Sequence, residues 1–207
     1  MTRADDSPKQ EAPLPRMWVQ LVIDSLRRPR SAARQVLALD LEPAILLQGA
    51  LVTACLGMVL GYLALVLSPG AIDAVSTMLL DNPLLGAAMQ LAVMAAAVAL
   101  TARVGGLFGG SGNLRGALSL VVWLNVMMVI LQTLQLVALV LVPPLAAVIA
   151  LATLFWALWA FANFVAELHG FGNPLLVLAG ILLTLIVLFF GFAMLLAILG
   201  IMPRGAG

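Results

Sequence analysis

The stretch ALSLVVWLNVMMVILQTLQLVALVLVPPLAAVIALATLFWALWAFANFVA, residues 117–166, carries no charged side chain and is punctuated by one Pro143-Pro144 pair. As a single helix it would measure about 75 Å, more than twice the hydrocarbon thickness of a bilayer. Two adjacent prolines remove two backbone donors and interrupt a helix. The stretch therefore predicts two membrane-spanning helices joined by a tight hairpin at Val142-Pro143-Pro144.

Three further apolar runs lie outside this stretch, one after it and two before it. Each is long enough to cross a hydrocarbon core of about 30 Å as a helix. Arg103 ends its run, where its side chain can extend to the interface. We predict an all-α integral membrane protein, a five-transmembrane-helix bundle over residues 43–202. The predicted spans are about 44–67, 84–104, 117–142, 145–166 and 174–201.

The composition excludes a water-soluble domain. Hydrophobic residues make up 64% of the 207 residues and charged residues 9%, against about a quarter charged in soluble proteins. A soluble chain of this size could not bury so much apolar surface. With a single cysteine and a single histidine, an internal disulfide is excluded and a structural zinc site is disfavoured. We expect no cofactor and no metal.

The residues before the first span form two parts: a polar tail over 1–16, expected to be disordered, and an amphipathic cytoplasmic or interfacial segment over 17–42. In the second part, apolar residues recur at helical spacing until Arg27-Arg28-Pro29-Arg30 interrupts them. Ser31 is predicted to cap a second helix. The apolar residues are Met17, Trp18, Leu21, Val22 and Leu26 in the first helix, and Ala32, Ala33, Val36 and Leu37 in the second.

Two interpretations of this segment stay open: a helix in the headgroup plane, or a face packed on the cytoplasmic end of the bundle. Seven of the ten basic residues precede Leu41 and lead directly into an apolar run. Anionic lipid headgroups are therefore the expected partner, rather than nucleic acid. The candidate residues for binding to the membrane surface or to a partner are Trp18, Arg27, Arg28, Arg30 and Arg34.

The same basic residues predict orientation, because cytoplasmic loops carry an excess of Lys and Arg. The loop over 68–83 has neither, whereas the 103–116 loop carries Arg103 and Arg115. With five spans, the N-terminus is expected in the cytoplasm and the C-terminus outside, in the cell (inner) membrane.

The loop between the second and third spans is rich in glycine and is expected on the cytoplasmic side. It is not a phosphate-binding loop, because no lysine follows it and no strand precedes it. Gly109-Gly110-Ser111-Gly112 matches the GxSG around the nucleophile of rhomboid-type intramembrane proteases, with His169 as the lone candidate base. A solvent-facing turn is the preferred interpretation, and no catalytic residue is assigned. The loop residues of interest are Gly105, Gly106, Phe108, Gly109, Gly110 and Ser111, and those of the cytoplasmic turn after span four are Glu167 and His169.

Uncharged polar side chains occur within the spans. Asn125 and Gln132 are seven residues apart and share a face, whereas Gln135 lies to the side. Such amides either hydrogen-bond between helices or line a solute path. The small-residue pair Gly57 and Gly61 allows close helix packing within the chain, or a homodimer. The intramembrane polar residues of interest are Gln90, Asn125, Gln132, Gln135 and Asn163.

The order of these features resembles a known family. Arg28-Pro29-Arg30 precedes the spans, the glycine-rich loop leads into the third span, and Trp156 and Trp159 lie in a fourth span that ends in Glu167-Leu168-His169-Gly170-Phe171. Over residues 24–200 the chain resembles the prokaryotic branch of the Yip-domain family, five-span relatives of the Rab-interacting Yip and Yif proteins. The resemblance implies a non-enzymatic membrane protein, associated in eukaryotes with vesicle traffic through cytoplasmic partners.

Three functional hypotheses follow. The first is a non-catalytic membrane organiser or adaptor that binds lipid and protein partners at its cytoplasmic face. The alternative is a small solute or ion transporter or channel lined by the intramembrane Asn and Gln residues. The remote third is an intramembrane serine hydrolase that uses Ser111 and His169.

Overall fold

The computed structural model describes residues 14–68, 81–107 and 109–198, and all regular structure within them is α-helical. Five of the helices, α3 to α7, are long and apolar enough to cross a membrane. This confirms the prediction of an all-α fold with five spans. The helices are α1 (Leu14–Arg27), α2 (Pro29–Ala38), α3 (Pro43–Leu67), α4 (Pro83–Leu107), α5 (Leu114–Leu141), α6 (Pro143–His169) and α7 (Pro174–Ile198).

Proline sets most of the helix starts. It suits the first turn because its fixed φ matches the helix and its missing N–H has no partner there anyway. Five of the seven described helices begin at a proline. At the predicted hairpin, α5 ends at Leu141 and α6 begins at Pro143, so the turn is as tight as the proline pair suggests.

The prediction that Ser31 caps α2 is wrong. The helix begins at Pro29, and the N-cap position is held by Arg28, which makes no side-chain capping bond. Because Pro29 is pre-organised for the first helical position, the helix starts three residues earlier than a Ser31 cap would place it, and Ser31 lies inside the first turn. The first helix likewise begins at Leu14, before the expected Met17. Phe108, the tail up to residue 13 and the end of the last predicted span lie outside the described residues.

Helices α5 and α6 occupy the centre of the bundle. Helices α3 and α4 pack on α5, α7 packs on α6, and the α1–α2 pair packs on both central helices. The 28 residues of α5 extend about 42 Å, roughly 12 Å more than a hydrocarbon core. The excess length lets the central helices reach the headgroup region at the end where α1 and α2 contact them.

Buried residues concentrate at that end. One cluster joins α1, α2, α5 and α6 through Leu21, Val36, Trp123 and Phe164. A second joins α3, α4 and the first half of α5 around Ala117. We call this the packed end, and the opposite end, around the Pro143 turn, the open end.

Candidate functional site

His169, the last residue of α6, is buried at the packed end, with 4% of its surface exposed. Its Nδ1 accepts a hydrogen bond of 3.1 Å from the Gly112 backbone N–H, and its Nε2 lies 3.0 Å from the Thr101 carbonyl oxygen. A nitrogen that accepts from an N–H carries no proton, so Nε2 bears the proton and donates to Thr101. This network fixes the orientation of the ring between α4 and the glycine-rich loop.

Three glycines surround this ring, and we call them and His169 the glycine clasp. A Cβ on Gly105 or Gly110 would overlap the imidazole, and one on Gly112 would lie 2.6 Å from Cε1. The loop closes through a 3.0 Å bond from the Gly110 N–H to the Gly105 carbonyl. Gly109 has a φ of +81°, in the left-handed region that favours glycine. The glycine-rich sequence therefore provides space for the histidine.

The other predicted loop residues lie away from the ring. A Cβ on Gly106 would meet no atom within 4 Å, and Ser111 is exposed. Because both nitrogens of His169 hydrogen-bond to backbone groups, neither is free to take a proton from Ser111. In this arrangement the serine-hydrolase hypothesis has no general base.

Glu167 connects α6 to α2 through two arginines. Arg30 Nε donates to Oε2 over 2.8 Å, and Arg34 Nε donates to Oε1 over 2.8 Å. Arg30 also donates to the carbonyls of Phe171 and Gly172, over 2.8 and 3.1 Å. The hydrogen bond and the charge of Glu167 raise the pKa of Arg34 above its usual value. Two cations share one carboxylate, so Arg30, Arg34 and Glu167 together carry one net positive charge.

The structure divides the predicted basic cluster into two parts. Arg30 and Arg34 hold the fold together through Glu167. Arg27 and Arg28 are exposed and form no ion pair with any residue in the described ranges. Both guanidinium groups therefore lie outside the charge pairs of the described residues.

Helix α1 packs on the bundle with one face and is exposed on the other. Its inner face packs on the bundle through Leu21 and Ser25, which are 3% and 0% exposed. Its other face leaves apolar Val19 and Ile23 exposed, beside a partly exposed Trp18 whose ring lies 6.2 Å from that of Trp123. The same helix thus binds the bundle and presents an apolar surface.

Sequence reasoning missed two contacts that fix α1 and α2. Trp123 Nε1 donates to Ser25 Oγ over 2.9 Å in a buried site. Arg115 donates to the backbone carbonyls of Asp40 and Leu41, both over 2.9 Å, and pairs with the Asp40 carboxylate. The signal in the sequence was Trp123, which lies in the uncharged stretch that begins at Ala117, since a buried indole N–H usually has an acceptor.

The intramembrane amides do not converge on one site. Gln90 Nε2 donates to Asn125 Oδ1 between α4 and α5, over 3.3 Å, and Asn163 Nδ2 donates to the Trp159 carbonyl of its own helix. Gln132 and Gln135 line a separate cavity of about 90 Å³. Gln135 therefore shares that cavity rather than lying to the side.

The small-residue pair of α3 faces this same cavity. Gly61 lines it, and a Cβ on Gly57 would contact Gln132 at 3.8 Å. The pair thus packs within the chain, against α5.

Among the described residues, no group of three or more His, Cys, Asp or Glu side chains could hold a metal ion.

Comparison with known proteins gives one match. No curated protein and no solved structure matches the chain. A family model described as the Yip1 domain matches residues 23–195. That range runs from α1 into α7 and covers most of the chain. It contains both the glycine clasp and the Glu167 ion pairs. The family expected from the sequence is confirmed: this multi-pass membrane protein belongs to the Yip1 domain family.

Proposed function

We propose that the chain is a non-catalytic membrane organiser or adaptor, which binds anionic lipid and protein partners at the packed end. We place that end on the cytoplasmic side of a cell (inner) membrane, with the C-terminus outside. The observation that carries the proposal is the position of Arg27 and Arg28, both exposed and without an ion pair in the described ranges.

Their surroundings fit a membrane surface. Arg27 ends α1, the helix whose outer face exposes Trp18, Val19 and Ile23. Apolar side chains beside unpaired arginines suit the boundary between acyl chains and anionic headgroups. The buried contacts of α1 and α2 with the bundle hold this surface in a fixed position.

The test is crosslinking in native membranes, combined with mass spectrometry of co-purified lipids, on the full chain and on Arg27→Gln/Arg28→Gln. We expect the double variant to lose both the crosslinked protein partner and most of the enrichment in anionic lipid. Arg103→Gln is the matched control, because Arg103 is also exposed but lies in the last turns of α4, not at the end of α1. If the double variant keeps its partners and lipids, the proposal fails.

The orientation has its own test. Reporter fusions at the two ends of the chain should give opposite locations. Reporters in the same compartment would contradict five crossings, and an N-terminal reporter outside the cytoplasm would contradict the assigned side.

A further inference from the structure

A groove of about 590 Å³ runs between α4 and α7. Helix α7 packs on α6, and α6 forms the floor of the groove with Phe161 and Val165. The lining is almost entirely apolar, and small residues such as Ala97 and Gly180 deepen it. This volume lies within the range of sites that hold small organic ligands, about 300–1,000 Å³.

The length of the groove matches one leaflet. Along α4 its lining extends from Val93 to Gly105, and along α7 from Leu176 to Leu188. Twelve residues of helix rise about 18 Å, slightly more than half of a hydrocarbon core of about 30 Å. The groove therefore begins at the packed end and reaches the middle of the bilayer.

The mouth of the groove is polar and positively charged. Phe171, Gly172 and Asn173 line it, and the carbonyls of the first two accept hydrogen bonds from Arg30. Arg30 shares Glu167 with Arg34, so the three groups together carry one positive charge. The positive N-terminal end of α7 begins at the same place.

We propose that this groove holds an acyl chain of an anionic phospholipid, whose phosphate is bound by Arg34 and Arg30 at the mouth. The proposal rests on the lipid-binding part of the proposed function and names the site and the lipid class. Arginine suits a phosphate because its planar donors match the phosphate oxygens.

Charge complementarity favours a lipid over a second copy of this chain. Helices α3 to α7 contain one acidic residue between them, Glu167, and it is already bonded to Arg30 and Arg34. A transmembrane helix from a second copy could fill the apolar part of the groove, but it would bring no free anion to the mouth. A phospholipid supplies both parts at the required separation.

The test uses photo-crosslinking of the full chain in phosphatidylcholine vesicles. One sample contains phosphatidylglycerol with a diazirine on its acyl chain, and the other contains phosphatidylcholine with the same diazirine. We expect phosphatidylglycerol to label the α4 and α7 segments that line the groove several-fold more strongly. Equal labelling by the two lipids would overturn the anionic assignment.

Three substitutions test the location of the site. Gly180→Leu places a side chain in the groove at a position where the Cβ itself meets no atom within 4 Å, and it should reduce the labelling several-fold. Gly191→Leu is the matched control on the same helix, with equally open space and outside the lining, and should leave it unchanged. Arg34→Gln should remove the preference for phosphatidylglycerol.

The remaining outcomes separate this proposal from the proposed function. Arg27→Gln/Arg28→Gln should leave groove labelling intact. If that variant loses lipid enrichment while Gly180→Leu keeps full labelling, the groove proposal fails and the proposed function stands. A protein–protein crosslink from the α7 lining to a second copy, with no lipid adduct, would overturn the lipid assignment.

Discussion

The packed end and the open end of this bundle are made from the same central helices, yet they are held together differently. Eight residues in the first half of α5 are buried, from Gly116 to Met127, whereas Ala138 is the one buried residue recorded in its second half. In α6 the distribution is reversed, with most buried residues after Trp159. Around the Pro143 turn, Leu141 and Val148 are 73% and 62% exposed.

The difference follows from the solvent. Lipid tails are as apolar as leucine, so apolar side chains gain little by leaving lipid for another helix. Close association then depends on hydrogen bonds, ion pairs and small residues. The packed end has all three, in Arg30–Glu167, Ser25–Trp123 and the glycine clasp, whereas the open end can leave its surface to lipid.

The largest loss of stability is expected when a methyl group is added inside the glycine clasp. Gly105→Ala places a Cβ into the His169 ring and displaces it from Thr101 and Gly112. We expect a loss of about 3 kcal/mol in the free energy of unfolding, from overpacking and lost hydrogen bonds. The measurement is unfolding by denaturing detergent, and Gly180→Ala, with open space around its Cβ, is the control. Equal behaviour of the two variants would contradict the clasp.

Next in size is the loss of the shared carboxylate. Glu167→Gln leaves Arg30 and Arg34 without their counter-charge, and we expect a cost of about 2 kcal/mol. The same unfolding titration measures it. Asp40→Asn is the control: the Asp40 carboxylate is 79% exposed, and asparagine tolerates its φ of +44°. We expect less than about 0.5 kcal/mol from the control. Similar losses in both variants would mean that the Glu167 pairs are no stronger than surface pairs.

A smaller effect is expected from Ser25→Ala. It leaves the Trp123 N–H buried without its acceptor, at a cost of about 1 to 2 kcal/mol. Unfolding and the tryptophan emission wavelength both report on it. The open-end counterpart is Thr133→Ala, because Thr133 is exposed and its hydroxyl bonds only to the Val129 carbonyl of its own helix. No difference between these two variants would show that the α1 contact adds no stability.

The smallest effect is expected from Asn125→Leu. It removes one interhelical hydrogen bond, from Gln90, and such bonds contribute about 0.6 kcal/mol in membranes. Vesicle flux assays on this variant also address the transport hypothesis. An ion or solute flux in the natural protein that disappears in Asn125→Leu/Gln132→Leu would favour transport.

The sequence was sufficient to predict the spans, because uncharged runs and prolines are local signals. Pro143-Pro144 gave the hairpin, and the apolar spacing of Ala32, Ala33 and Val36 gave the buried face of α2. Ser31 failed as a cap because a preference for serine competes with an equally local preference for proline at the helix start. In this chain Pro29 starts the helix, and Ser31 lies within its first turn.

The site was predictable only as separate pieces. The glycine-rich loop, Glu167 and His169 were singled out, but nothing local indicates that His169 lies against Gly112, 57 residues away. The four arginines of the basic cluster, likewise, look alike in sequence. Whether each one pairs with Glu167 or faces outward depends on helix phase and on the way α2 docks against α6.

The connection between α2 and α6 also sets an order of events during synthesis. Arg30 and Glu167 are separated by 137 residues, and at about 5–20 residues per second the carboxylate is made roughly 7–27 s after the arginine. Helix α5 is complete before that interval ends, but α2 has no ion-pair partner on α6 until the last turn of α6 is made. The contact between α2 and α6 can therefore form only after nearly the whole of α6 has been synthesised.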